Sequence, residues 1–101
     1  MAYGFVMDVP APVEAYEAMH AAINQRVTGP VEGMLFHLGR ATDRGFQIIE
    51  VWDSKEHFQH YDELYVQPVV AELTGGRPLG EVAVEEFEPR GLIVPSAQVV
   101  V

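Results

Sequence analysis

A chain of 101 residues with six Lys plus Arg against fifteen Asp plus Glu and no cysteine leaves no room for a second domain and excludes a disulfide framework, a Cys zinc site and thiol chemistry. With 49% hydrophobic residues it is long enough to bury one core unaided. Its formal charge of −9 repels phosphate backbones and anionic headgroups, so the expected partner is a neutral or hydrophobic small molecule, with no nucleic acid and no membrane.

The chain starts without a basic segment or long apolar run, and no later stretch reaches bilayer length, so a cytoplasmic protein is expected. From Ala2 to Asp8 the alternation of Tyr3, Phe5 and Met7 with Gly4 and Val6 predicts a strand, ended by Pro10 and Pro12. Pro12 then suits the first turn of a helix to about Val27, with Val13, Tyr16, Met19 or His20, Ile23 and Val27 as its inner stripe. Gly33 to Arg40 and Phe46 to Trp52 read as two strands of a hairpin turning at Asp43-Arg44-Gly45. Asp53 followed by Glu56 resembles a capping box, so a second helix is expected from about Ser54, presenting Phe58, Tyr61, Leu64 and Tyr65 inward. Pro68 should kink or end it, with a further turn over Val69 to Leu73 before Gly75-Gly76. Glu81 to Glu88 is the last strand, its glutamates the charges of a guarded sheet edge.

The order β-α-β-β-α-β predicts an α+β, ferredoxin-like fold with a four-stranded antiparallel sheet and both helices on one face. Two helices cover one face only of such a sheet, yet both faces look apolar. Met34, Phe36 and Leu38 fall on one side of the second strand with Leu35 on the other; Phe46, Ile48 and Trp52 oppose Ile49 and Val51 in the third. A homodimer closing sheet on sheet is the economical cover, and the tail of residues 88–101 is placed to cross to the partner.

Gly33-Met34-Leu35-Phe36-His37, the Asp43 to Gly45 turn, Glu50-Val51-Trp52-Asp53-Ser54, Phe58, and Pro68 before Ala71-Glu72-Leu73 together resemble the antibiotic-biosynthesis monooxygenase-like family, whose members form dimeric α/β barrels. The resemblance spans about Tyr3 to Phe87, within one domain over residues 1–101. It implies a scaffold whose relatives oxygenate aromatic polyketides without metal or flavin, oxidise quinols, degrade haem, or have no known activity. The haem degraders carry an Asn on the first strand and a His late in the second helix, and neither is found here.

His37, mid-strand and facing the helices, is the candidate catalytic base, since an imidazole can take a phenolic or activated C–H proton near neutral pH. The alternative is a core histidine bonded to backbone. Trp52 offers a flat surface for an aromatic ligand, or else anchors strand to helix. Tyr16, His20 and Asn24 recur at four-residue spacing, as do His57, Tyr61 and Tyr65, so each series can line a cleft or sit at a core edge with its polar tips wet. Trp52 and Tyr61 would hold the rings, with Phe58 a further substrate contact, and Asn24 or Arg40 would stabilise an oxyanion. His57 and His60 have a spacing compatible with metal, but further ligands are wanting, and no phosphate-binding glycine loop occurs, so neither metal nor cofactor is expected. The leading expectation is a cofactor-independent oxygenase acting on an aromatic or polyketide-like molecule. A non-catalytic dimer binding a hydrophobic metabolite, and an isomerase using the same proton-transfer residues, stand beside it.

Overall fold

A computed structural model describes residues 1–97 and 99–100; Gln98 and Val101, part of the tail whose path to a partner was in question, lie outside the described residues. Strand β1 (Tyr3–Val9) leads to helix α1 (Val13–Arg26), then to β2 (Met34–Thr42) and β3 (Gly45–Trp52). Helix α2 (Lys55–Tyr61), a π-helical turn (Asp62–Val66) and α3 (Gln67–Thr74) follow, before β4 (Ala83–Phe87). The four strands form one antiparallel sheet in the order β2-β3-β1-β4, the ferredoxin-like arrangement expected from the sequence. The tail folds back on itself as the short strands β5 (Ile93–Val94) and β6 (Val99–Val100), with one 3₁₀ turn between them.

Two irregularities change the expected faces. A bulge between Met34 and Phe36 shifts the parity of β2, so Met34 joins His37 on the helix side while Phe36 and Leu38 stay on the other. The second irregularity lies in the helix after β3. Its cap is Ser54, whose Oγ accepts from the His57 backbone N–H at 3.2 Å, in place of the capping box expected at Asp53. Pro68 neither ends nor breaks the run: lacking an N–H and crowding the preceding turn, it follows the wider π turn and sits in the first turn of α3. The extra residue in that turn rotates the apolar face. Leu64, expected inside, is 52% exposed, and Val69 is buried in its stead.

Helix-side residues of the sheet supply the core, with Phe5, Val9, Phe46 and Trp52 buried beneath Met19 of α1 and Val69 of α3. Phe58 of α2 packs into an aromatic cluster with Tyr3, Phe5 and Trp52, at ring-centre distances of 5.5, 5.0 and 5.8 Å. The opposite sheet face carries Val6, Phe36, Leu38, Ile49, Val51 and Phe87, and among the described residues no helix covers it. Edge strand β4 is exposed at all five residues, Glu85 and Glu86 among them. Among the described residues no helix is long and apolar enough to cross a membrane.

Candidate active site

Alternation along β3 points Phe46, Ile48, Glu50 and Trp52 toward the helices, which sets one carboxylate among three large apolar side chains. Glu50 is 6% exposed, and a carboxylate so withdrawn from water persists only with donors on its oxygens. Both oxygens have one. The Trp52 indole N–H donates to Oε1 at 2.9 Å, and His37, directly across the ladder on β2, meets Oε2 through Nδ1 at 2.6 Å. That carboxylate assigns the tautomer: Nδ1 carries the proton, and Nε2 is left as acceptor.

Nε2 faces the Tyr16 hydroxyl of α1 at 2.7 Å. Burial, and then the charge of Glu50, push the Tyr16 phenol above its ordinary value, so at neutral pH it keeps its proton and donates to His37. Gly39 makes this approach possible. A Cβ there would lie 2.2 Å from the Tyr16 ring, so any larger residue on β2 would drive the phenol off the sheet. His20, one helical turn after Tyr16, sets Nδ1 at a longer 3.5 Å from the same hydroxyl and stacks on His37 at 5.3 Å and 14°. The result is a continuous chain from Trp52 through Glu50 and His37 to Tyr16, with His20 at its outer end.

This chain borders a cavity of about 210 Å³ between sheet and helices. Tyr16, His20, Asn24, His37, Glu50 and Tyr61 supply its polar lining. The rest is apolar, one aromatic ring (Phe46) among aliphatic side chains and the methionines Met7, Met19 and Met34. Burial above all, with Glu50 next, pushes the Tyr61 phenol up to about 12, so it too is a neutral donor at working pH.

Of the residues singled out in the sequence, His37, Tyr16, His20, Asn24 and Tyr61 meet at this cavity, whereas Trp52, Phe58, Arg40, His57 and Tyr65 do not line it. Trp52 is fully buried behind Glu50, so it does not present a face to a ligand; it holds the carboxylate, while Tyr61 packs on its ring at 5.2 Å. Phe58 is core. Arg40 points from the opposite sheet face, where it donates to Gln47 at 2.7 Å, because its register places it two residues from Leu38. His57 is bound at the surface to Asp53 (2.6 Å) and Glu32 (3.3 Å), and the Asp53 contact raises its pKa. Tyr65 lines an adjoining surface cleft together with His57 and Tyr61, the series spaced four residues apart, so that only Tyr61 of the three also reaches the cavity. Among the described residues no three His, Asp or Glu side chains converge as a metal site requires.

No protein-family model matches the chain, and no curated protein does. Solved structures do. A protein from Chloroflexus aurantiacus J-10-fl named for the antibiotic biosynthesis monooxygenases is 27% identical with a TM-score of 0.64, covering 90% of this chain and 95% of its own. Another so named, from Caulobacter crescentus CB15, is 14% identical with a TM-score of 0.65, covering 87% and 89%. A variant of a cofactor-independent oxygenase from Streptomyces nogalater is 18% identical with a TM-score of 0.54, covering 88% and 91%. The resemblance seen in the sequence therefore stands: structures named for that family share this fold.

Proposed function

We propose that the chain is a cofactor-independent oxygenase of an aromatic or polyketide-like small molecule, with His37 as its base. The observation that carries this reading is the buried Glu50, His37 and Tyr16 chain opening at one wall of an apolar cavity. A phenol seated against Tyr16 gives its O–H proton to the Tyr16 oxygen while the Tyr16 proton passes to His37 Nε2. Glu50, 2.6 Å from Nδ1, stabilises the imidazolium so formed. The electron-rich phenolate then reduces O2 and bonds it at the para carbon, giving a peroxide anion that takes the proton back through Tyr16. Loss of the ring C–H proton with hydroxide as water leaves a quinone, so one oxygen atom enters the product and the other leaves as water. The ring supplies all four electrons. Asn24 and Tyr61 face the cavity as donors for the oxyanion.

The test is O2 uptake with a panel of phenols of one to three rings. One O2 consumed per quinone formed supports the reading. Ligand binding with neither O2 uptake nor solvent deuterium entering the ligand would leave a binding protein, and deuterium entry without O2 uptake an isomerase.

The same reading includes a homodimer closed through the sheet face opposite the helices. Leu38 is 43% and Phe87 38% exposed there, beside Phe36 and Ile49.

A further inference from the structure

We infer that the site takes a neutral phenol of one or two rings and rejects both three-ring and anionic ligands. The inference rests on the reading of this cavity as the substrate site. Volume sets the upper limit. An aliphatic cavity of about 150 Å³ holds one benzene; scaling by ring carbons, a fused two-ring system needs about 250 Å³ and a three-ring system about 350 Å³. The cavity here is about 210 Å³ and open on one side, so two rings fit with an edge at the mouth and three do not.

Charge sets the second limit. No Lys or Arg lines the cavity among the described residues, and its inner wall carries the Glu50 carboxylate. A ligand carboxylate or phosphate would lose its water and meet a like charge without a cation to repay it. Aromatic character follows from the wall itself. The sulfurs of Met7, Met19 and Met34 favour contact with an aromatic ring over an aliphatic chain, and Tyr16 and His37 leave one hydroxyl-sized donor and acceptor site to orient it.

Isothermal titration calorimetry of the full chain, with O2 excluded, using 1-naphthol, 1-anthrol and 1-hydroxy-2-naphthoate tests both limits. Naphthol is expected to bind at least about tenfold more tightly than either of the others. Anthrol should be admitted by Ile23→Ala, which enlarges the aliphatic wall away from the Tyr16 hydroxyl, and by Leu79→Ala as an independent second enlargement from outside the helices. Equal affinity of the unaltered protein for naphthol and anthrol overturns the size limit, and equal affinity for hydroxynaphthoate overturns the charge limit. Because binding is read without turnover, naphthol that binds but consumes no O2 removes the oxygenase reading and leaves this one. Anthrol that is bound and oxidised does the reverse.

Discussion

Glu50 is the residue on which the site turns, and its cost defines its role. A carboxylate with both oxygens bonded to Trp52 and His37 holds the imidazole in one tautomer and one orientation. Glu50→Ala leaves two buried N–H donors without acceptors, each worth about 1–3 kcal/mol, so the melting temperature should fall clearly. His37→Ala, which takes one donor from the buried Glu50, should also lower the melting temperature, yet below that temperature it should bind ligand while losing about 10²- to 10⁴-fold in turnover. Full turnover by His37→Ala on an identified substrate would show the ring to be a structural histidine. Tyr61 supplies a pH signature. Its phenol titrates at about 12 when folded against 10.0 when free, so the unfolded chain releases this proton first. Stability from this group is whole below pH 10 and is lost as pH rises toward 12. Chemical denaturation across that window should show the fall, and Tyr61→Phe should make it shallower. Sequence reading found His37 and Tyr16 but missed Glu50 as their partner. The signal was there: Glu50 is in step with Phe46, Ile48 and Trp52, which puts a carboxylate on a buried face.

At the scale of elements, β2 and the second helical run show what periodicity carries and what it does not. The order of strands and helices was legible because alternation, helical spacing and Pro or Gly punctuation are local. The bulge at Met34 to Phe36 and the π turn at Asp62 to Val66 each insert one residue into a regular repeat, and that choice is made by packing across the fold. Leu64 and Met34 were misplaced for that reason, while Val69 gained the core position. For Trp52 the sequence left both a ligand surface and a strand-to-helix anchor open, because its strand face was known but the depth of the wall was not, and its full burial fits the anchor. Gly39 gives the element-scale prediction. Gly39→Ala puts a methyl group into the Tyr16 ring, which should cost about 1–3 kcal/mol and separate Tyr16 from His37. Turnover should then fall even at temperatures where the variant is folded, and unchanged turnover would contradict the role given to Tyr16. Ser54→Ala, which removes the cap of α2 at a residue that does not line the cavity, should cost about 1 kcal/mol in thermal unfolding and leave turnover alone.

The whole molecule divides its two sheet faces between tasks. The helix side encloses the cavity; the other face presents Phe36, Leu38, Ile49 and Phe87 between the polar rim of Arg40, Gln47 and Asp8 and the charges of β4. A second copy is the cover proposed for it, so light scattering should give a dimer and Leu38→Glu a monomer. A monodisperse monomer of the unaltered chain at micromolar concentration would contradict that assembly. The closed tail hairpin leaves Ile93 69% exposed, consistent with a surface awaiting that partner. The central claim, however, is proton removal by His37 followed by reaction with O2. It is tested most directly by oxygen-electrode rates for the unaltered protein and His37→Ala at saturating 1-naphthol, whose para carbon bears the hydrogen that quinone formation removes. The account expects steady uptake matched to quinone in the first and a loss of at least about a hundredfold in the second. Equal uptake by the two proteins, or none by either with naphthol bound, would contradict it.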